Sequence, residues 1–102
     1  RHAVNAENRS AWLACLTSFE VRLYCNGVLA DCGSARNVLG GPLLALRDVV
    51  DVLAKDRFNP PISAGEIVTT GTVTRAFPMA RGQEWQTEFK GAPFEGLNMQ
   101  LC

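Results

Sequence analysis

The sequence predicts an α+β fold: a mixed or antiparallel β-sheet or roll with one main amphipathic helix. Two alternating apolar and polar stretches are joined by Asn26-Gly27, a dipeptide typical of tight hairpin turns because both positions take positive φ. Residues 42–56 repeat apolar side chains at helical spacing, and residues 84–91 and 97–101 alternate again. Strands, then one helix, then strands is the order of an α+β fold rather than a doubly wound one.

The hairpin is the clearest local feature. Apolar side chains at every second position of residues 18–25 predict a half-buried strand, and residues 28–33 return as its partner. In this register Cys25 faces Val28 rather than Cys32. We therefore favour free thiols, as in a cytoplasmic protein, over a Cys25–Cys32 disulfide.

The helix is predicted to begin at Pro42, because a proline is tolerated in the first turn, where its missing N–H is not needed. Its apolar stripe widens to six residues: Leu43, Leu46, Val49, Val50, Leu53 and Ala54. Pro60 and Pro61 end it, since residues before proline avoid helical backbone angles. Upstream, residues 11–16 are compatible with either a short helix or a buried strand.

Residues 66–74 are rich in β-branched side chains and predict a strand, after a turn at Ala64-Gly65. Gly71 interrupts this run. A glycine inside a strand indicates either a weak point, such as a bulge, or a place where a ligand comes close to the backbone. The residues alone leave both readings open.

Length, net charge and hydropathy argue against several classes of function. The 102 residues suit a single domain spanning 1–102, and ten basic residues balance ten acidic ones. Without a basic stripe, nucleic acid is not an expected partner. No apolar run reaches the length of a membrane-spanning helix, so no membrane is expected either.

The sequence offers few residues that could act in catalysis or bind a metal. The only histidine is His2, and the four cysteines form no Cys-x-x-Cys, so neither a zinc site nor a histidine triad is expected. Gly40-Gly41 before the helix is interpreted as a turn rather than an anion site. Glu84 and Glu88 are interpreted as a solvated face rather than a catalytic pair.

The succession of motifs is more specific than any single one. "NGVLADCGSARNVLGGPLLALRDVVDVLA" is followed by "ISAGEIVTTGTVTRAFPMARGQEWQTEF", and "NAENRSAW" precedes both. This order resembles the C-terminal part of the 2-keto-4-pentenoate hydratase family, in the fumarylacetoacetate hydrolase superfamily. Its relatives include 2-oxo-hept-3-ene-1,7-dioate hydratase and 4-oxalocrotonate decarboxylase.

The resemblance implies a lyase fold with parts missing from this chain. Family enzymes use magnesium or manganese, held by a Glu-x-Glu pair and a further acid, and an active-site lysine. All of these precede the region that this chain resembles, and the chain contains no Glu-x-Glu. Gly41 replaces a family histidine, and Glu66 replaces a family aspartate. We expect no metal ligands and no catalytic residues in this chain.

The resemblance does carry over four candidate substrate-binding residues. Thr70, Gly71 and Thr72 match the end of a family strand that borders the keto acid. Asn8 matches an asparagine that lines the same pocket, although Glu7 stands where the family has aspartate.

Three functions follow as hypotheses. The chain is a truncated hydratase-like domain, inactive alone, that serves as a scaffold or pocket wall, and a missing N-terminal segment or a partner chain completes the enzyme. Alternatively, it is a stand-alone non-enzymatic module that binds a small molecule or a protein, or an unrelated small α+β domain. An incomplete fold leaves apolar surface open, so we expect a homo-oligomer, most simply a dimer. The candidate surfaces are the helix at 42–56 and the strand edge at 97–101.

Overall fold

The computed structural model describes residues 2–38 and 40–102; Leu39, in the predicted turn before the main helix, lies outside them. The elements, in chain order, are α1 (Arg9–Ser18), β1 (Glu20–Cys25), β2 (Val28–Ser34), a 3-10 turn (Ala35–Asn37), α2 (Pro42–Lys55), β3 (Glu84–Lys90) and β4 (Asn98–Gln100). The strands form one antiparallel sheet in the order β2-β1-β3-β4. The predicted α+β class is confirmed, and the open choice upstream of the hairpin resolves as a helix.

The β1–β2 hairpin has the predicted pairing beside its turn, and a bulge between Leu23 and Tyr24 shifts the register in the rest of the ladder. Asn26 and Gly27 have φ values of 49° and 77°, as the tight turn requires. Cys25 pairs with Val28 across the ladder, while Cys32 pairs with Arg22. All four cysteines are free.

Helix α2 begins at Pro42 and ends at Lys55, one residue before the predicted end. Asp56 ends the helix, and its carboxylate binds backbone N–H groups of the residues that follow. Its Oδ1 accepts the N–H groups of Phe58 and Asn59 at 2.8 and 3.2 Å. No residue of α2 is fully buried, so its apolar stripe remains only partly covered.

The buried core is small and lies on one face of the sheet. Five apolar residues are buried: Phe19, Val21, Ala35, Val38 and Trp85. Three of them, Phe19, Val21 and Ala35, form one cluster, and Leu16, Val73, Phe89 and Ala92 pack against this cluster with partial burial. The core faces of β1 and β3 are the faces predicted from their alternating residues.

The strand predicted at residues 66–74 is wrong. The turn at Ala64-Gly65 forms, and the N–H of Glu66 donates to the carbonyl of Ser63 at 3.2 Å, but no strand follows. β-branched residues favour a pleated ladder only when a neighbouring strand supplies hydrogen bonds. Among the described residues, none forms a backbone ladder with residues 66–74.

Side-chain contacts instead hold the end of this segment beside β2. The carboxylate of Asp31 accepts the N–H of Arg75 at 2.9 Å and lies 3.5 Å from its Nε. The Nδ2 of Asn37 donates to the carbonyl of Val73 at 3.0 Å. The same carbonyl lies so close to Gly33 that a Cβ there would meet it at 2.0 Å. Gly33 is therefore the glycine that this packing requires.

The chain is more open than a compact domain of its length. Its radius of gyration is 16.0 Å, whereas about 13 Å is typical for 100 residues. Large apolar side chains remain on the surface, including Phe58 at 95% exposure and Ile67 at 93%. Within the described residues, no helix is long and apolar enough to cross a membrane.

The contact at Gly33 predicts a selective loss of stability. Gly33→Ala places a methyl group against a backbone carbonyl that cannot rotate away, so we expect a loss of about 1–3 kcal/mol in the free energy of unfolding. Gly71→Ala is the matched control, because its nearest neighbour, a Val38 methyl, is 3.9 Å away. Urea unfolding of both variants measures this difference. Equal free energies of unfolding for Gly33→Ala and Gly71→Ala would contradict the close contact at Gly33.

Asp31 predicts a pH-dependent contribution to stability. Chiefly the Arg75 N–H, and less so the Cys32 N–H and the Arg75 guanidinium, hold the pKa of the Asp31 carboxyl below its ordinary value. A lowered folded-state pKa means that the contribution is present above the unfolded aspartate pKa, about 3.9, and is lost as the pH falls through the folded value.

Asp31→Asn should therefore destabilise the chain at neutral pH, and the difference from wild type should disappear in strong acid. Urea midpoints measured across this pH range test the expectation. Asp51→Asn, at an exposed position of α2, is the control, and its urea midpoint should stay close to that of wild type throughout this pH range. A pH-independent difference for Asp31→Asn would show that the ionised carboxylate is not the cause.

Candidate functional site

The candidate site is an apolar cavity of about 390 Å³ on the core face of the sheet. Residues 70–74 form one side of it, and the core face of β1 and β3 forms the other. Its lining residues are Leu16, Phe19, Val21, Val38, Pro42, Thr70, Gly71, Thr72, Val73, Thr74, Thr87, Phe89 and Phe94.

Phe19, Phe89 and Phe94 contribute aromatic rings to the lining of this cavity. The rings of Phe19 and Phe89 are 6.1 Å apart, and Phe94 lies 5.4 Å from Phe89 in an edge-to-face arrangement. Trp12 of α1 stacks on Phe94 at 5.8 Å, which ties the helix to the same cluster. Such an arrangement suits the carbon skeleton of a ligand and offers it no charge.

Thr70, Gly71 and Thr72 lie at the rim of the cavity, where all three are exposed. Neither threonine hydroxyl is hydrogen bonded to another residue that the structure describes, and no backbone group of these three residues is bonded within that part of the chain. The nearest atom to a Cβ built at Gly71 is 3.9 Å away. The rim therefore offers hydroxyl and N–H donors to an incoming oxygen.

Asn8 is placed differently. It directly precedes α1, its Oδ1 accepts the N–H of Asn5, and its Nδ2 donates to the carbonyl of Ala3. It is not among the residues that line the cavity. The structure thus brings Thr70–Thr72 to the cavity and engages the Asn8 amide in a local turn; a role for Asn8 in substrate binding remains a prediction.

The outer face of the sheet carries Glu84 and Glu88, which were predicted to form a solvated face rather than a catalytic pair. Glu88 accepts a hydrogen bond from the Tyr24 hydroxyl at 3.0 Å, and Glu84 accepts from Gln86 and Asn98. Their hydrogen bonds are thus with different partners on an exposed surface. They do not face the apolar cavity.

The magnesium or manganese that the resemblance implies would need a set of converging donor side chains. Within residues 2–38 and 40–102, no group of three His, Cys, Asp or Glu side chains could hold a metal ion. A divalent cation needs several oxygen ligands directed at one point. The residues described do not fit that ion.

Sequence reasoning missed two residues of the aromatic cluster. Phe94 lies between Pro93 and Glu95, in a stretch without periodicity. Trp12 lies in residues 11–16, for which the sequence allowed either a short helix or a buried strand. An aromatic residue in a glycine- and proline-rich connection is a weak signal for burial. Only the return of the chain beside α1 and β3 places Phe94 in the cavity wall.

Comparison with known proteins finds similarity among solved structures. No known family model matches the chain, and no curated protein matches its sequence. Among solved structures, 4-oxalocrotonate decarboxylase from Pseudomonas putida G7 matches in two forms, each at 25% identity over 89% of this chain. The form complexed with calcium and acetate has a TM-score of 0.78, and the form complexed with magnesium and adipate has 0.76.

The match covers only part of that enzyme. The chain spans 34% and 33% of the two decarboxylase chains, so it corresponds to about a third of their length. The resemblance inferred from the motif order is thereby confirmed at the level of the fold: the chain resembles the C-terminal part of enzymes of the 2-keto-4-pentenoate hydratase family, in the fumarylacetoacetate hydrolase superfamily.

Proposed function

We propose that this chain forms one wall of a keto-acid pocket in a lyase of the hydratase or decarboxylase type. The observation that carries the proposal is the apolar cavity with Thr70–Thr72 at its rim, whose donors have no partner among the residues that the structure describes, in a fold that matches a third of a decarboxylase. The rest of the site, including the metal ligands and the lysine, comes from a segment outside these 102 residues or from a partner chain.

The ligand class follows from the chemistry of the cavity. The decarboxylase has been solved with adipate, a linear dicarboxylate, together with magnesium. A cavity lined by Phe19, Phe89 and Phe94 suits the carbon chain of such an acid. The hydroxyls of Thr70 and Thr72 suit a carboxylate or keto oxygen, because hydrogen bonds to a charged oxygen are the stronger kind.

The reaction of the family is the metal-assisted addition of water to the C=C bond of a 2-keto-4-enoate, or the related decarboxylation. The donors in the described part of the chain do not fit the metal, so we assign these residues no chemical step. Its role is to exclude water from the carbon chain of the substrate and to orient one oxygen.

A second function rests on the same cavity. A stand-alone module that binds a small carboxylic acid without turnover would also use apolar walls and threonine donors. Binding of adipate to the chain alone, without magnesium, separates the two functions: micromolar affinity favours the module, and negligible affinity favours the incomplete enzyme.

The chain alone should not turn over a family substrate. Incubation with 2-hydroxypenta-2,4-dienoate and magnesium, followed by loss of the dienoate absorbance, should match a protein-free blank. The intact Pseudomonas putida decarboxylase, assayed on its own substrate, confirms that the assay conditions are competent. Clear turnover by this chain would show that the site is complete and would overturn the proposed role.

A chimera tests the pocket wall directly. Replacing the matching third of the decarboxylase by this chain should retain measurable activity. In that chimera, Thr70→Val together with Thr72→Val should lower kcat/KM by about a hundredfold or more, since each of the two hydrogen bonds to a charged group contributes about 1.5–3 kcal/mol.

Thr17→Val in the same chimera is the matched control. Thr17 lies on α1, where its hydroxyl donates to the carbonyl of Ala14 at 2.9 Å, and it does not line the cavity. It should leave kcat/KM unchanged. A folded chimera in which the double valine variant is as active as its parent would remove the threonines from the site.

A further inference from the structure

We propose that Asp31 and Asn37 are positioning residues for the rim of the keto-acid pocket. Asn37 binds the carbonyl of Val73, and Asp31 binds the N–H of Arg75. These two contacts fix the chain directly after Thr70–Thr72, so that the threonine hydroxyls keep one orientation toward an oxygen of the substrate. This role rests on the proposed function, because it concerns the same threonines.

The rim has no hydrogen bonds of its own to hold it in place. No N–H, C=O or hydroxyl group of residues 67–72 is hydrogen bonded to another residue that the structure describes. On the N-terminal side, the nearest hydrogen bonds close a local turn between Ser63 and Glu66. The contacts at Val73 and Arg75 are therefore the nearest hydrogen bonds that join the rim to the hairpin. A segment with few contacts of its own depends on such anchors for a defined position.

A bulge in β2 directs Asp31 toward the segment that it holds. Between Leu23 and Tyr24 the register shifts by one residue, so that Leu23 pairs with Asp31 rather than with Ala30. Directly paired residues share one face of an antiparallel sheet, and Leu23 lies on the same face as buried Val21. Without the bulge, the Asp31 side chain would lie on the opposite face. Bulges often re-aim a side chain beside a functional site.

Both oxygens of the Asp31 carboxylate bind backbone donors. Its Oδ1 accepts the N–H of Cys32 and its Oδ2 accepts the N–H of Arg75, each at 2.9 Å. The Asp31 side chain is only 19% exposed, so water competes little for these bonds. A backbone donor cannot swing away as a long side chain does, and an ionised acceptor strengthens the bond. The Arg75 backbone is thus fixed to β2.

The 3-10 turn gives Asn37 a rigid support. Ala35, at the start of this turn, is completely buried. Val38, directly after Asn37, is also buried, and its methyl lies 3.9 Å from a Cβ built at Gly71. The Asn37 side chain is exposed and lines no part of the cavity. Its amide therefore acts on the rim only through the backbone carbonyl that it binds.

Backbone relaxation of the full chain tests the positioning itself. The amides of residues 70–72 should approach the order parameter of a rigid backbone in wild type, about 0.85, and should fall toward about 0.6 in Asn37→Ala. The variant should fold, since the side chain that it loses is exposed. Unchanged order parameters in folded Asn37→Ala would overturn the proposal.

Asn59→Ala is the matched control. It also removes one Nδ2 hydrogen bond, which Asn59 donates to the carboxylate of Asp56 at 2.7 Å, and Asn59 does not line the cavity. The order parameters of residues 70–72 should equal those of wild type. An equal fall in Asn59→Ala and Asn37→Ala would show a general loosening of the chain and would also overturn the proposal.

The decarboxylase chimera tests the consequence for the substrate. With 4-oxalocrotonate and magnesium, Asn37→Ala and Asp31→Ala should each lower kcat/KM by about tenfold, within the hundredfold that a displacement of about 1 Å can cost. In the chimera that already carries Thr70→Val and Thr72→Val, the same substitutions should change kcat/KM by less than about twofold, because no hydroxyl is left to position. Losses that add in full would indicate independent effects and would overturn the role.

The threonine variant separates this role from the pocket itself. If it lowers kcat/KM while folded Asn37→Ala equals its parent, the positioning role is rejected and the pocket wall stands. If the threonine variant equals its parent, the pocket wall is rejected, and the positioning role is rejected with it. Asn37→Ala decides the outcome alone where Asp31→Ala does not fold.

Discussion

Phe19 is the residue on which the rest of the structure depends. Its N–H donates to the carbonyl of Cys15 at the end of α1, and its carbonyl accepts the N–H of Ala35 after β2. Its ring packs between Phe89 of β3 and Phe94 of the following connection. One residue thus joins both ends of the hairpin to the helix before it and to the strand beside it, and its ring forms part of the candidate site.

The small core explains why the site and the open surface occur together. Five buried apolar residues hold the sheet, α1 and the 3-10 turn, and α2 is left with no fully buried side chain. The apolar side chains that the core does not use line the cavity near Phe94 and a groove beside Val52. In the matching decarboxylase, about two thirds of the chain lies outside the matched region.

The candidate site was only partly predictable. Thr70–Thr72 were found because a glycine between threonines fits the family motif, and they do lie on a cavity rim. Their strand assignment failed, because propensity describes a residue and a ladder needs a neighbour. Phe94 and Trp12 were missed, since the contact between their rings joins residues 82 positions apart. The close approach at Gly33 was missed for the same reason.

The sequence by itself determined the features whose causes are local. These features are the Asn26-Gly27 turn, the faces of β1 and β3 and the start of α2 at Pro42. They depend on backbone preferences and on periodicity, both of which can be read from residues close together in the sequence. Only the tertiary structure decided that residues 66–74 stay outside the sheet and that Val73 rests against Gly33. Those outcomes depend on which hydrogen-bonding partners lie nearby in space, and no short window of sequence contains that information.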